Sequence, residues 1–547
     1  MVEYINAHPE DRDIINAYGS RIFGIPDTVN TMLKLARFIE ENELANTRCM
    51  SLKMELNNLI NYPHRALEFM TAMLIPDKDA QKERGAVYTS KKLIDTMLGK
   101  LPANAWTNPK LTFYDPASGI GNFMVIIYYR LMKGLCKKIP DDEERRKHIL
   151  ENMIFMSELD PKSVRVCHRL FNADCKYDMN LHSGDSLAFK HHKEPGWPKR
   201  FDLIVGNPPY NLSFNGTNGY APALYHKFVE KYIEQCDKLL FVLPTRGFTG
   251  GRGLDAYRDM MLKRRDIVYI DTIPDSDHPF GTAVQIKGGV CHFLKDISYK
   301  GKCSYNGRKI YLDTYDILVD CNYIPIIDRI LKYDSITESY CSKGHYKIPL
   351  TDKRLHDKKK THDVVCHVSK SKGSRKYIDG RTISDGKLGK WKIITVTAST
   401  DGGGFGNMFV AGPNDVHSES YISFEVKSKK AAESLVSLLQ CRLSNLLLAI
   451  RKPHTHNIAK EACKWIPAVP LDRAWDDKSL YKYLQFTKTD VKLVEGAEIP
   501  GFTQKTKAKK RDLVVSSSEE DDYESHVQKN GGAIRAKRKQ TRSKRSE

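Results

Sequence analysis

The sequence carries one short corner whose residue types suit the recognition of an amino group. Asn207, Pro208, Pro209 and Tyr210 directly follow residues 201–206, an apolar run typical of a buried strand. Pro209 restricts Pro208 to an extended conformation, which fixes the direction of the Pro208 carbonyl. That carbonyl and the Asn207 amide oxygen are two acceptors for one amino group, beside the flat Tyr210 ring. We call residues 207–210 the proline corner; the alternative interpretation is an ordinary proline-rich turn.

A glycine-rich turn upstream suits the binding of a ligand at the edge of a sheet. Residues 115–123, which we call the glycine loop, read Asp-Pro-Ala-Ser-Gly-Ile-Gly-Asn-Phe between a predicted strand and a predicted helix. Gly119 and Gly121 allow a tight turn and a close approach to a ligand, and Asp115 adds a carboxylate there. The loop lacks the third glycine of the dinucleotide fingerprint and the Gly-Lys-Ser/Thr of a phosphate loop. Taken alone, it is equally consistent with an ordinary strand–helix turn.

Two acidic residues follow the next predicted strands. Glu158 comes just after an apolar run at 154–156, and Asp185 lies in a Ser-Gly-Asp-Ser turn. An acidic residue after the second strand of a nucleotide-binding sheet accepts hydrogen bonds from ribose hydroxyls. Each carboxylate alone is also consistent with a solvated loop. In order after the glycine loop, the two predict a nucleoside pocket.

These residues lie in a region where short apolar runs alternate with helical stretches, between about 81 and 298. The strands are predicted at 111–114, 153–156, 201–205 and 239–243, and the helices at 123–135, 161–171 and 223–233. Such alternation builds a mostly parallel sheet covered on both faces, which is an α/β fold. Residues 267–270 and 290–294 are expected to form edge strands.

The remaining segments differ in composition. Residues 1–80 space their apolar side chains three and four apart, which indicates helices. Residues 299–500 are less regular, and their stretch 351–392 holds 13 Lys and Arg against 5 Asp, a net charge of +8. That stretch is either a solvated surface or part of a cleft for DNA. Residues 501–547 are charged and poor in apolar residues, so we expect a disordered tail.

The overall composition indicates a globular protein with an anionic partner. The 547 residues include 87 Lys and Arg and 67 Asp and Glu, a net charge of +20, which favours nucleic acid or an anionic membrane surface. The lack of an 18-residue apolar run argues against a membrane span, and the polar N-terminus argues against a secretory signal. Twelve cysteines without a Cys-x-x-Cys pair argue against a zinc ribbon and a disulfide scaffold, and fit a reducing compartment.

With these motifs in order, the sequence resembles the N6-adenine-specific DNA methyltransferases of restriction–modification systems, in their gamma class and near the methylase part of type IIG enzymes. That family combines Asp-Pro-x-x-Gly-x-Gly-Asn-Phe with Asn-Pro-Pro-Tyr, and both motifs are intact here. Residues 85–90 are similar to its N-terminal cofactor motif, although Ser90 stands where the family usually has Pro. Residues 250–262 and 470–483 also resemble the family, and the resemblance covers roughly 81–495.

The resemblance implies a Rossmann-like methyltransferase core at 81–298 that uses S-adenosyl-L-methionine. It also implies a mixed α/β target-recognition domain at 299–500 that binds double-stranded DNA. The implied cofactor-binding residues are Tyr88, Thr89, Asp115, Gly119, Gly121, Asn122, Phe123, Glu158 and Asp185. Of these, Glu158 is expected to bind the ribose hydroxyls and Asp185 the adenine amino group of the cofactor. Asn207 and Pro208 would accept from N6 of the target adenine while Tyr210 stacks on the flipped base, with Pro209 completing the catalytic motif.

Other functions stay open at this point. Asn-Pro-Pro-Tyr also occurs in enzymes that methylate glutamine in release factors and in some RNA methylases, and a non-catalytic DNA-binding protein could retain a methylase fold. Attack on a sulfonium methyl group needs no metal, so none is expected in the reaction. We find no nuclease site, and we expect a monomer with any restriction nuclease on a separate chain. The expected compartment is the cytoplasm or nucleoid for a prokaryotic or phage source, and the nucleus or a viral factory for a eukaryotic virus.

Overall fold

The computed structural model describes most of the chain between residues 89 and 502. Its gaps are 173–174, 212–221, 252, 276–279, 281–285, 287, 369–374, 400–401, 453–454 and 456, and four earlier positions are also described: Asn16, Asp27, Asn30 and Thr31. Apart from those four, the predicted helical segment 1–80 lies outside the described residues. So do Tyr88 and residues 503–547 of the predicted tail.

The chain divides into two compact units between Asn322 and Tyr323. Unit 1 thus ends later than 298, the boundary that we expected between the catalytic and recognition segments. We describe the two units separately.

Unit 1 is built on one nine-stranded sheet. Its strands are β1 (Phe113–Asp115), β2 (Ile154–Glu158), β3 (Asn180–Ser183), β4 (Phe201–Gly206), β5 (Cys236–Pro244), β6 (Ile267–Ile273), β7 (Val290–Asp296), β8 (Cys303–Tyr305) and β9 (Arg308–Ile310). They lie in the order β3-β2-β1-β4-β5-β7-β6-β8-β9. The first five strands pair in parallel, and β7 is antiparallel to both of its neighbours. The α/β fold expected from the sequence is confirmed.

The expectation that residues 267–270 and 290–294 form edge strands is wrong. β7 lies between β5 and β6, and β6 lies between β7 and β8. The first six residues of β7 are all buried, which is the pattern of a strand covered on both faces. This continuous burial favours an interior position over an edge.

A hairpin extends unit 1 beyond residue 298. β8 and β9 are antiparallel, and β8 adds to the sheet beside β6. Asn306 and Gly307 connect them with φ angles of 45° and 83°, as a two-residue hairpin turn requires. The Tyr305 hydroxyl then donates to the Val319 carbonyl over 2.6 Å, which holds the following segment on unit 1.

Helices flank the strands of unit 1. They are α1 (Lys91–Leu98), α2 (Asn122–Gly134), α3 (Asp142–His148), α4 (Pro161–Asn172), α5 (Tyr225–Tyr232), α6 (Arg246–Thr249) and α7 (Asp255–Leu262). The helices predicted at 123–135, 161–171 and 223–233 are therefore found within one or two residues as α2, α4 and α5. Ser90 caps α1, because its Oγ accepts from the Leu93 N–H over 3.4 Å, so this departure from the family motif serves the helix start.

Unit 2 combines two small sheets with helices. Its strands are β10 (Tyr340–Cys341), β11 (Asp363–His367), β12 (Arg375–Asp379), β13 (Trp391–Val396), β14 (Met408–Ala411), β15 (Val416–His417) and β16 (Tyr421–Val426). One sheet has the order β10-β16-β13-β14 and the other β12-β11-β15. The helices are α8 (Ile324–Ile330), α9 (Lys429–Gln440), α10 (Arg442–Arg451), α11 (Asp477–Tyr483) and α12 (Lys488–Gly496). This is a mixed α/β unit, as expected.

The described residues also bear on a membrane span and on disulfide bonds. Among them no single helix is long and apolar enough to cross a membrane; α9 and α10 pass by length and composition only as a pair, which is bent by 67°. Eleven cysteines are described, and each of the eleven is a free thiol.

Candidate active site

The carboxyl ends of β1 and β4 bring the glycine loop and the proline corner together. β1 pairs in parallel with β2 on one side and with β4 on the other, so the chain order of the strands reverses between β1 and β4. Open α/β sheets bind ligands in the crevice at such a reversal. Asp115 ends β1, and the proline corner begins directly after Gly206, which ends β4.

Gly206 lies against Asp115 and was missed by the sequence analysis. A Cβ atom built on Gly206 would lie 2.6 Å from Asp115 Oδ1, closer than non-bonded atoms approach. Only glycine therefore lets the two strand ends stand this close. The available signal was a glycine immediately before Asn-Pro-Pro-Tyr, at the end of an otherwise apolar strand.

The glycine loop is fixed by hydrogen bonds to its surroundings. Gly119 and Gly121 have φ angles of 55° and 89°, so both need the left-handed region that glycine tolerates. The Gly119 N–H donates to Glu158 Oε2 over 2.8 Å. At the start of α2, Asn122 Nδ2 donates to the carbonyl of buried Thr89 over 3.5 Å. Phe123 is buried beneath the loop.

Asp115 is a buried carboxyl group with unusual protonation. Its side chain is 1% exposed, and Oδ1 accepts from the Ala117 N–H over 3.0 Å. The pKa of Asp115 is raised to about 8, chiefly by burial and also by the charge of Glu158, against the lowering effect of the Ala117 hydrogen bond. A cation or hydrogen-bond donor placed here would favour the ionised form.

Glu158 links the ends of three strands. It is half-buried, and burial raises the pKa of its carboxyl group even though the main-chain N–H groups of Asp160 and Gly119 donate to it. The Gly184 N–H, beyond β3, donates to the Glu158 carbonyl over 2.9 Å. The glycine loop, Glu158 and the turn that carries Asp185 are thus joined at one edge of the sheet.

Asp185 lies farther out than the other acidic residues. Its side chain is exposed, and Oδ1 accepts from the Leu187 N–H over 2.8 Å. The turn is anchored beside it, because Lys231 Nζ donates to the carbonyls of Leu187 and Phe189. Asp185 therefore lies in an exposed turn of fixed shape, at the same edge of the sheet as Glu158.

The proline corner emerges at the end of β4 with its aromatic side chain packed. Asn207 and Pro209 are half-buried, whereas Pro208 and Tyr210 are buried. Burial raises the pKa of Tyr210 well above its usual value, so its hydroxyl stays protonated at neutral pH. The Tyr210 carbonyl accepts from the Leu224 N–H over 2.9 Å, which ties the proline corner to the residue before α5.

Further residues around the proline corner were not predicted from the sequence. The Tyr210 ring lies 6.2 Å from the Phe280 ring and 6.4 Å from the Tyr225 ring, both in edge-on contacts. Next to the corner, an Arg246 Nη atom donates to Asn211 Oδ1 over 2.6 Å. Phe280 and Arg246 are 70 and 36 residues from Tyr210 and follow no local motif, so only the tertiary structure identifies them.

Comparison with known proteins agrees with this geometry. Residues 122–280 match the family model of the Eco57I restriction-modification methylase. This segment is similar to the methylase domain of that family. The match includes the proline corner and extends to Phe280, so the matched segment contains both residues of the contact between Tyr210 and Phe280.

Individual proteins similar to this chain share low sequence identity with it. An uncharacterized adenine-specific methylase of Mycoplasma pneumoniae is 27% identical across 41% of this chain and 68% of its own length. The type IIL restriction-modification enzyme MmeI, solved in complex with DNA, has a TM-score of 0.40 and 14% identity, covering 71% of this chain and 69% of its own. A type I methyltransferase subunit from Streptococcus thermophilus has a TM-score of 0.32 and 15% identity, covering 52% of this chain. This chain spans only 62% of that subunit's length.

The residues of the site fit the cofactor expected from the sequence, S-adenosyl-L-methionine. That molecule carries cationic groups and ribose hydroxyls. The edge of the sheet offers the carboxyl groups of Asp115 and Glu158, whose pKa values are raised by burial. Asp115 and Glu158 would hold the cofactor at the ends of β1 and β2, with Asp185 in the exposed turn that follows β3. The similarity to restriction-modification methylases agrees with the family resemblance and with the cofactor that we expected from the sequence.

Proposed function

We propose that this chain methylates the N6 amino group of adenine in a specific sequence of double-stranded DNA. One observation carries the proposal: Asp115 and the proline corner lie at the ends of two paired strands, β1 and β4. A methyl donor and an amino acceptor held at these two places would be neighbours, and such alignment supplies much of the rate of a two-reactant transfer.

The proline corner supplies the polar contacts for the amino group. S-adenosyl-L-methionine, when bound, provides an electrophilic methyl group. The adenine amino nitrogen is a poor nucleophile because its lone pair is delocalised into the ring. The Asn207 amide oxygen and the Pro208 carbonyl accept its two N–H groups, which favours a pyramidal nitrogen and stabilises the positive charge that develops on it.

Tyr210 is the proposed stacking surface for a flipped base. The target nitrogen is buried in duplex DNA, so the adenine must leave the stack to reach the corner. Phe280 contacts the Tyr210 ring at an interplanar angle of 61°, and a base that stacks on Tyr210 takes over part of this contact. We therefore place Phe280 beside the target base as well.

The rest of the chain supplies affinity for DNA in this proposal. The net charge of +20 attracts phosphates, and the stretch 351–392 carries a net charge of +8 within it. We propose that unit 2 reads the DNA sequence and that the protein acts as a monomer.

A comparison of substrates tests the proposal. Purified protein is incubated with labelled S-adenosyl-L-methionine and with duplex DNA, RNA or a release factor, and the product is digested and analysed by mass spectrometry. We expect N6-methyladenine from DNA alone. Label in RNA or in glutamine would instead indicate an RNA methylase or a glutamine methylase. Cofactor binding without any transfer would indicate a non-catalytic protein.

A further inference from the structure

Unit 2 contains a cluster of metal-binding side chains far from any motif in the sequence. Cys341, His345 and Glu425 each offer one ligand atom, and the three atoms lie within 4.8 Å of one another. None of the three residues has a role in the methylation chemistry proposed above.

The fold of unit 2 brings the three residues together. Cys341 ends β10 and pairs with Ser423 on β16, and Glu425 is two residues farther along β16, hence on the same face. A turn follows β10 in which the His345 N–H donates to the Ser342 carbonyl over 2.9 Å. The turn returns the His345 ring to the Cys341 and Glu425 side chains.

The cluster contains buried polar atoms that the protein leaves poorly satisfied. His345 Nε2 lies 3.4 Å from Glu425 Oε1, and both atoms are inaccessible to solvent without a hydrogen-bond partner of good geometry. Cys341 beside them is 7% exposed. Buried polar atoms without partners are costly, and an ion at their common centre would satisfy both.

The surrounding charges are compatible with a bound cation. Lys390 Nζ lies 2.9 Å from Glu425 Oε2, which leaves Oε1 to face the cluster. The buried Lys392, which pairs with Glu425 across β13 and β16, directs its ammonium to the Asp415 carbonyl over 2.6 Å. A thiolate and a carboxylate together balance a divalent charge.

We propose that Cys341, His345 and Glu425 bind a Zn²⁺ ion that ties the turn after β10 to β16. A sulfur, an imidazole nitrogen and a carboxylate oxygen together favour zinc over magnesium or calcium. Tetrahedral zinc spaces such ligand atoms about 3.3–3.6 Å apart, so no pair needs to close by more than about 1.5 Å on binding. The three side chains supply three of the four ligands of a tetrahedral site.

The metal content of the full-length protein tests the proposal. Protein purified without chelating resin is analysed by mass spectrometry for metals, beside Cys341→Ser, His345→Ala and the control Cys366→Ser, which changes another buried cysteine on β11. We expect about one zinc per chain in the wild type and in the control, and a loss in the other two variants. Wild-type protein without zinc, or zinc retained in both cluster variants, overturns the site.

A second measurement does not depend on how well the variants fold. Wild-type protein stripped with chelator is titrated with Co²⁺, whose thiolate complexes absorb in the near ultraviolet. We expect that absorption to saturate in the wild type and to be absent from Cys341→Ser at equal circular dichroism. A wild-type titration without the thiolate absorption contradicts the proposal.

Discussion

The main-chain N–H of Gly119 donates to Oε2 of Glu158, and this 2.8 Å bond ties the glycine loop to the end of the neighbouring strand β2. The loop and the acidic residue were expected to bind the same cofactor. Their hydrogen bond shows that Glu158 also sets the shape of the loop, so its substitution should affect cofactor binding in two ways.

Removal of the Glu158 carboxylate should weaken cofactor binding. We expect Glu158→Ala to lose a ligand acceptor and the anchor of Gly119, about 1–3 kcal/mol, or roughly 5–150-fold in the dissociation constant of S-adenosylhomocysteine. Asp185→Ala should cost less, because Asp185 is exposed. Isothermal titration measures both, and Glu158→Gln, which keeps an acceptor oxygen, should fall between the wild type and Glu158→Ala. Equal affinities in all four proteins would place the cofactor elsewhere.

A methyl group on Gly206 should disturb Asp115. We expect Gly206→Ala to push the Asp115 carboxyl group aside, because the new Cβ would start 2.6 Å from Oδ1. Cofactor affinity should fall at least about tenfold, in line with a displaced hydrogen-bonding group. Gly496→Ala is the control, since a Cβ there meets no atom within 4 Å. Calorimetric affinity equal to wild type in Gly206→Ala would show that the strand ends can separate freely.

The raised pKa of Asp115 predicts a pH-dependent stability. The folded protein keeps a proton up to a pKa of about 8, whereas an unfolded Asp releases it near 3.9. The resulting stabilisation is present below the unfolded value and is lost as pH rises to about 8. The melting temperature of the cofactor-free wild type should therefore fall relative to Asp115→Asn between about pH 4 and 8. A difference that is the same at every pH would mean that Asp115 titrates normally.

The charged tail should contribute affinity without specificity. Residues 503–547 hold 13 Lys and Arg against 7 Asp and Glu, a net charge of +6, and seven of the basic residues lie between 535 and 545. A chain that ends at Phe502 should keep its turnover at saturating DNA, yet bind nonspecific DNA about tenfold more weakly at low salt. Replacing the seven basic residues by Gln should reproduce most of this loss. A loss of turnover at saturating DNA would show that catalysis requires the tail, against this prediction.

The sequence allowed prediction of those features whose residues are neighbours along the chain. The glycine loop, Glu158 and the proline corner each follow a strand that its apolar run reveals, and a parallel sheet collects such strand ends at one edge. Helices α2, α4 and α5 were predicted for the same reason, because their periodicity is local.

Features that depend on distant pairing were missed. The insertion of β7 between β5 and β6 and the addition of the β8–β9 hairpin beside β6 depend on contacts that no local pattern encodes. The same holds for Phe280 against Tyr210, and for His345 and Glu425, which are 80 residues apart. Gly206 was predictable in part: the sequence shows a glycine at the end of the strand, but not its contact with Asp115.

Single-turnover methyl transfer by Asn207→Ala, measured beside its cofactor affinity, tests the central claim most directly. Asn207 stands at the proline corner, whereas the cofactor contacts are assigned to Asp115 and Glu158, so the two readouts should separate. We expect transfer to duplex DNA to fall roughly 100–1000-fold, as on loss of one polar contact to a developing charge, with calorimetric affinity for S-adenosylhomocysteine unchanged. Asn104→Ala, which removes an exposed amide in the same unit, should transfer at the wild-type rate. Transfer by Asn207→Ala at the wild-type rate would contradict the account.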